Sequence, residues 1–332
     1  MRGMTTVTNP QLTAALRRAA VRATRAPSIH NTQPWRFVLN QDTLEVYADP
    51  TRRLRVLDPH ARQLTLSCGC AVFNARVALA AAGYGATVAR FPEPADPELV
   101  ARIVIDESIP ADGELARLDA AVESRQTNRR AFTDEQVPPD VVDLLVDAAR
   151  REGTKLEPIV RSQDRFALAR LSQLAERHEI VDPAYRAELR AWTSDDPSRQ
   201  DGVPAAAVPH VDAGAEDDLP IRDFDTHGAG GLPTHTRSSL TQCLLLLGSV
   251  DDSSVSWLRA GEALERVLLE IAQRGYAASP FTQVIEVAHT NALLRSELRL
   301  RMHPHVLLRV GHAPQTPQTR RRRLVDVLSE VD

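Results

Sequence analysis

The sequence predicts an α+β protein assembled from two tandem units, and three observations carry that prediction. Helical and strand-like hydrophobic patterns alternate along 332 residues, 43% of them hydrophobic, enough to build a core without disulfides or metal. The length is about twice that of a common domain. A short pattern also recurs. Gly69-x-Ala71, an apolar helix and Gly83-Tyr84-x-Ala86 are matched by Gly261-x-Ala263, an apolar helix and Gly275-Tyr276-x-Ala278, with the glycines 14 positions apart in both copies. Apolar strands flank each copy. Two helices sharing a small-residue interface by chance is the alternative; duplication also accounts for the flanking strands.

Taken in order, Leu12 to Arg25 has apolar residues at helical spacing with basic residues between them. The run APSIHNTQPW (26–35) holds two prolines among small polar residues and must be a loop. WRFVLN and LEVYAD follow as short strands joined at Asn40-Gln41-Asp42, and a helix runs from about Gln63 to Ala82, stopping at Gly83. ELVARIVIDE alternates as a strand. A second series begins near Leu118, with LDAAVESRQTNRRAF read as a helix leading into an Arg-rich stretch. PPDVVDLLVDAARRE is an amphipathic helix with proline at its start, where a missing N–H costs nothing. LEPIV is a strand; RFALARLSQLAERHE and AYRAELRAW are helices. Residues 201–238 form a Gly/Pro/Asp-rich passage of the length seen in lids or loops. QCLLLLGSV is a buried strand, GEALERVLLEIAQRG a helix, and HVLLRVG a last strand before the tail TPQTRRRRLVDVL.

Composition excludes several classes. Three cysteines make no disulfide framework, and the first residues do not read as a secretory signal. The longest apolar stretches are interrupted by Arg76 or Gly248, so no membrane-spanning helix is expected. Net charge is −4, with 40 basic and 44 acidic residues interspersed, which argues against a nucleic-acid partner. A cytoplasmic protein is expected. Lys155 is the only lysine, so any phosphate held by side-chain cations is held essentially by arginine forks.

Two segments carry chemistry. In APSIHNTQPW, Ser28, Asn31 and Gln33 offer donors and acceptors suited to the polar edge of a planar heterocycle, and Pro27 and Pro34 fix the path. The same residue types also satisfy their own turns. Arg125-Gln126-Thr127-Asn128-Arg129-Arg130 gathers guanidinium groups and a hydroxyl able to hold one phosphate, unless it is a solvated charged turn. Arg320 to Arg323 is a further basic cluster. Cys68-Gly69-Cys70 lacks a second pair for zinc, and His303-Pro304-His305 sits at a strand start, so no metal site is expected.

APSIHNTQPWRF resembles the P-S-x-x-N-x-Q-P-W loop of the FMN-dependent nitroreductase family, and RQTNR resembles that family's R-x-S-x-K/R motif. With DPAYRAELRAW, DGVP and HPHVLLRVG, the chain is similar to the Acg-type branch, in which two nitroreductase-like units are fused; the resemblance runs from about Leu12 to Leu328. It implies two antiparallel sheets flanked by helices, in units 1–117 and 118–332, packed as an intrachain pseudo-dimer with a lid or loop at 201–238. It implies one FMN per chain between the units, because the loop occurs only in the first and the arginine motif only before the second. Pro27, Ser28, Ile29 and Asn31 would face the ring edge, with His30 nearby. Arg125, Thr127 and Arg129 would hold the ribityl chain and phosphate, and two of Arg320, Arg321 and Arg322 would close the phosphate site. Ser279, Pro280 and Gln283 would lie beside the reactive ring nitrogen, although Thr282-Gln283 replaces the family's Glu-Gly. NAD(P)H would be the electron donor and a nitro compound or quinone the small-molecule acceptor, with no side chain acting as catalyst. A storage protein that holds FMN under a closed lid is the alternative. Because the fusion internalises the usual dimer contact, a monomer is expected.

Overall fold

The computed structural model describes residues 10–209, 219, 222–224 and 242–331. Most of the proposed 201–238 lid therefore lies outside the described residues. The chain begins with helix α1 (Pro10–Ala23), strands β1 (Trp35–Asn40) and β2 (Thr43–Ala48), and the long helix α2 (Arg62–Ala81). Strands β3 (Ala86–Arg90) and β4 (Leu99–Ile105) follow. A single turn, α3 (Gly113–Ala116), comes next; of the helix expected over 118–132 only one turn forms, α4 (Ala121–Ser124), after which the Arg-rich segment is extended. Next come α5 (Pro139–Arg151), β5 (Lys155–Pro158), α6 (Ser162–Val181) and α7 (Pro183–Ala191). Beyond the long passage lie β6 (Cys243–Ser249), α8 (Ser254–Gln273), β7 (Ala277–Phe281), α9 (Gln283–Glu286), α10 (Ala288–Glu297), β8 (His303–Gly311) and β9 (Leu328–Val331).

Local chemistry sets several boundaries. Ser253 caps α8 by accepting from Ser256 N, and Asp182 caps α7 by accepting from Ala184 N and Tyr185 N. Ala61 precedes α2 in the left-handed region without a side-chain cap, and Asp58 supplies one instead, accepting from Leu64 N at 2.9 Å. Gly83 and Gly275 end α2 and α8 with φ of +87° and +78°, the conformation glycine adopts freely.

The two sheets share one strand order. The first runs β3-β4-β2-β1-β9 and the second β5-β6-β8-β7. If β9 is set aside, β1-β2-β4-β3 repeats as β5-β6-β8-β7, so each member of the first set has a counterpart in the second. The sequence predicts wholly antiparallel sheets, and the first sheet departs from that. The C-terminal tail returns to it, and β9 pairs in parallel with β1, Phe37 opposite Leu328.

Between the sheets α2 packs along α8. Nearly every residue of α2 is buried, so this helix, long and apolar enough to cross a membrane, is instead enclosed by protein. The helices meet at the repeated glycines. A Cβ on Gly69 would lie 2.1 Å from Leu258 O, and one on Gly261 would lie 2.0 Å from Leu66 O. Each of these carbonyls lies three residues before the opposing glycine, so the contact is reciprocal. Charged side chains line the same seam. Arg76 bonds Glu152 at 2.6 Å and Glu262 at 2.7 Å, Arg90 reaches Glu262 at 2.6 Å, and Arg266 reaches Glu152 at 2.7 Å.

Gly261→Ala places a methyl group inside backbone of the facing helix and should cost about 3 kcal/mol, seen as a lower denaturant midpoint in chemical unfolding. An unchanged midpoint would show that the helices can separate without loss.

Candidate functional site

The segment between α1 and β1 is held in an unusual path. His30, Asn31 and Gln33 all have positive φ, at 47°, 54° and 50°, which non-glycine residues adopt only when their surroundings fix them. Ser28 Oγ accepts from Gln33 N at 2.9 Å, and Ser67 Oγ on α2 accepts from Ile29 N at 3.2 Å. Asn31 Nδ2 donates to Gly202 O and Arg320 O, and Gln33 Nε2 donates to Gln200 O. The loop therefore ties together the chain near 200 and the C-terminal tail.

The arginine motif lies against β7. Asn128 N donates to Ala278 O at 2.9 Å, Thr127 bridges Ala278, and Asn128 Nδ2 donates to Pro314 O at 2.8 Å. This docking carries Arg125 and Arg129 to the mouth of the loop. Two adjoining cavities result, sharing Pro27, Ser28, Thr127 and Arg129. One is ringed by Arg25, Arg125, Arg129 and Arg321, with Glu123 also in its lining. The other is largely apolar, with Leu66, Leu264, Leu268, Phe224 and Phe281 in its walls and Ser279, Pro280, Thr282 and Gln283 along one side.

Electrostatics separates the two ends. Burial, with Arg125 and Arg25 adding repulsion, lowers Arg321 to about 9. Burial and then Arg222 lower Arg129 to about 10. Both remain cationic at neutral pH, so the first cavity gathers positive charge that an anion would relieve. Arg321 Nε and Arg125 Nε are buried without a hydrogen bond. At the apolar end His30 is buried with neither ring nitrogen hydrogen-bonded, and burial followed by Arg222 and Arg129 holds it neutral. Its ring meets Phe224 edge-on at 5.1 Å, and the Arg129 guanidinium lies 4.9 Å from the same ring. Arg222 fixes the neighbouring backbone by pairing with Glu286 and Tyr185, with Glu179 at 3.6 Å.

Eleven of the thirteen residues singled out in the sequence border these cavities: Pro27, Ser28, Ile29, Asn31, Arg125, Thr127, Arg129, Ser279, Pro280, Gln283 and Arg321. Arg320 and Arg322 do not. Arg320 donates to the carbonyls of Asp196, Pro197 and Arg199, and Arg322 to those of Gln33, Trp35 and Asp326. Both guanidinium groups serve as backbone clamps. Sequence reasoning missed Arg25, Gln63 and Ser67, which carry no motif, Cys70, weighed only as a metal ligand, and Arg222 and Phe224, which sit in the passage read only as a lid or loop. Among the described residues no group of three or more His, Cys, Asp or Glu is placed to hold a metal ion.

The equivalent positions of the other repeat look different. Cys70 and Leu268 line the apolar cavity, whereas their counterparts, one and seven residues past the partner glycine, are Glu262 and Arg76. Thr282, seven residues past Gly275, is matched by Arg90. The cavity wall takes Cys70 from the first repeat and Leu268 and Thr282 from the second; the exchanged positions form the Arg76–Glu262–Arg90 ion cluster.

Comparison with known proteins gives the chain close sequence relatives. "Putative NAD(P)H nitroreductase Rv3131" of Mycobacterium tuberculosis is 38% identical over 311 residues, covering 92% of this chain and 88% of the relative. "Putative NAD(P)H nitroreductase acg" of the same species is 33% identical over 332 residues, covering 95% of each. Among solved structures, the FMN-bound nitroreductase of Bacteroides fragilis aligns at a TM-score of 0.36 and 13% identity over 61% of this chain and 93% of its own. No protein-family model matches the chain.

Asn31→Ala removes the bonds to Gly202 O and Arg320 O and the one Asn31 Oδ1 accepts from Arg321 at 3.0 Å. Stability should fall by about 2 kcal/mol and tryptic cleavage at residues 320–323 should quicken about tenfold. Cleavage at the wild-type rate would mean that the tail is held without this loop.

Proposed function

The chain belongs to the family of the mycobacterial proteins named "Putative NAD(P)H nitroreductase Rv3131" and "Putative NAD(P)H nitroreductase acg", and from that premise we propose that it is an FMN-dependent NAD(P)H oxidoreductase acting on nitro compounds or quinones. The observation that carries this reading is the pair of joined cavities, one cationic and one apolar, in a single seam. A phosphate monoester attached through a polar chain to a planar ring has that same division of character.

The residues present fit such a ligand. Arg125, Arg129 and Arg321 would hold the phosphate by charge-assisted bonds, Thr127 the polar chain, and Pro27 to Ile29 with Ser279 to Gln283 the ring edges. Bound FMN supplies hydride transfer from the nicotinamide and onward to the acceptor. The side chains bind, orient and exclude water. His30, held neutral, and the backbone beside Pro280 are among the polar groups at the ring end.

The Arg76–Glu262–Arg90 cluster supports a single FMN per chain, since charged side chains fill the related positions. A second reading, FMN held without turnover, is favoured by Phe224. This residue comes from the 201–238 passage, is buried, and forms part of the cavity wall. In either reading the working unit would be one chain in the cytoplasm.

Titration of the flavin-free chain with FMN should saturate at one equivalent; saturation at two would remove the single-site proposal. Arg129→Ala should weaken FMN binding about 10- to 100-fold, read by fluorescence quenching, and an unchanged Kd would place the phosphate elsewhere. Under anaerobic conditions NADH or NADPH should bleach the flavin band. Indifference to both, with dithionite still effective, would favour the holding protein.

A further inference from the structure

Behind the arginines of the cationic cavity lies an acid that the binding site does not use directly. Glu265 on α8 is completely buried, and neither carboxyl oxygen makes a hydrogen bond. Its ion-pair partner is Arg125, whose Nε is 3.5 Å from Oε1, too long for a hydrogen bond. The groups facing it are Arg125 from the arginine motif, Arg321 from the C-terminal tail, and Asn74 and Cys70 from α2. Packing does not require an acid there, because the equivalent position of the other repeat, four residues past Gly69, is Phe73, also fully buried. The acid occurs only in the repeat that backs the arginine motif.

We infer that Glu265 is an internal counter-ion for the phosphate-end arginines, and that it takes up a proton when a phosphate monoester binds Arg125. This rests on the FMN reading of the cavity. With no anion in the cavity, the carboxylate balances part of the charge of Arg125 and Arg321. A phosphate at the front of Arg125 brings a second negative charge to the same guanidinium, and a proton from solvent then converts the carboxylate to the acid. No bond other than that O–H forms and no electron moves.

The direction of the pH dependence follows. Burial, opposed by Arg125, Asn74 and Arg321, raises the Glu265 carboxyl to about 7. Below that pH the acid is already protonated and no longer competes with phosphate for the charge of Arg125. Above it, binding must draw a proton, so affinity falls as pH rises, by up to about tenfold per unit. The phosphate monoester's own second ionisation, near 6, is essentially complete above pH 7.5 and does not interfere there.

Calorimetric titration of the flavin-free full chain with FMN at pH 7.5, in two buffers of different ionisation enthalpy, counts the protons. The wild type should take up about half to one proton per FMN, and Glu265→Gln should take up almost none while still binding FMN with a pH-independent Kd. Riboflavin, which lacks the phosphate, should bind the wild type without uptake, a comparison that needs no variant. Tight FMN binding with no proton uptake, or equal uptake by Glu265→Gln, overturns this role and leaves the cofactor reading intact. Failure to bind FMN at any pH overturns both.

Discussion

Two helices approach so closely at Gly69 and Gly261 that neither position has room for a methyl group, and the rest of the molecule is arranged around that contact. Each glycine faces the carbonyl three residues before the other, so the crossing is symmetric although the two sequences are not. Symmetry at the crossing places the two sheets, with their repeated strand order, on either side of one seam. The loop before β1 and the segment beside β7 then converge because both are anchored to those helices or to the sheets they support.

The seam has been specialised in opposite directions at its two ends. At one end the repeat positions carry Cys70, Leu268 and Thr282 and leave a cavity. At the other they carry Glu262, Arg76 and Arg90, joined by short ion pairs. Buried ion pairs add little net stability compared with apolar packing, but removing one partner is costly because the other charge is stranded. Such a cluster holds its place and its charge balance, and it leaves no apolar surface for a ring. The tail adds a second asymmetry: β9 extends the first sheet only, and Arg320 and Arg322 fasten the approach to it. Arg321, between those two clamps, is the one of the three that borders the cationic cavity.

Much of this was legible in the sequence because it depends on local signals. Prolines and small polar residues mark the loop at 26–35, glycines stop α2 and α8 where the chain turns left-handed, and the repeated G-x-A steps mark the crossing. That the Arg-rich motif borders the same cavities as the loop is legible only when the two motifs are taken together. Other features depend on tertiary partners. Nothing in the sequence marks β9, because its four residues become a strand only by pairing with β1. The segment near 118–132 carries a helical pattern, yet docking of Thr127 and Asn128 on β7 draws it out straight. Glu262 and Glu265 look like the polar face of an amphipathic helix, and only packing against α2 and the arginines buries them. Arg320 and Arg322 could not be told from Arg321 by residue type, since what separates them is the direction each side chain takes from one extended segment.

The most direct measurement is a crystal structure of the full chain grown with FMN. The account predicts one flavin per chain, its phosphate among Arg125, Arg129 and Arg321 and its ring in the apolar cavity beside Ser28 and Pro280. A flavin seated beside Arg76 and Glu262, or an FMN-saturated crystal with both ends of the seam empty, would contradict it.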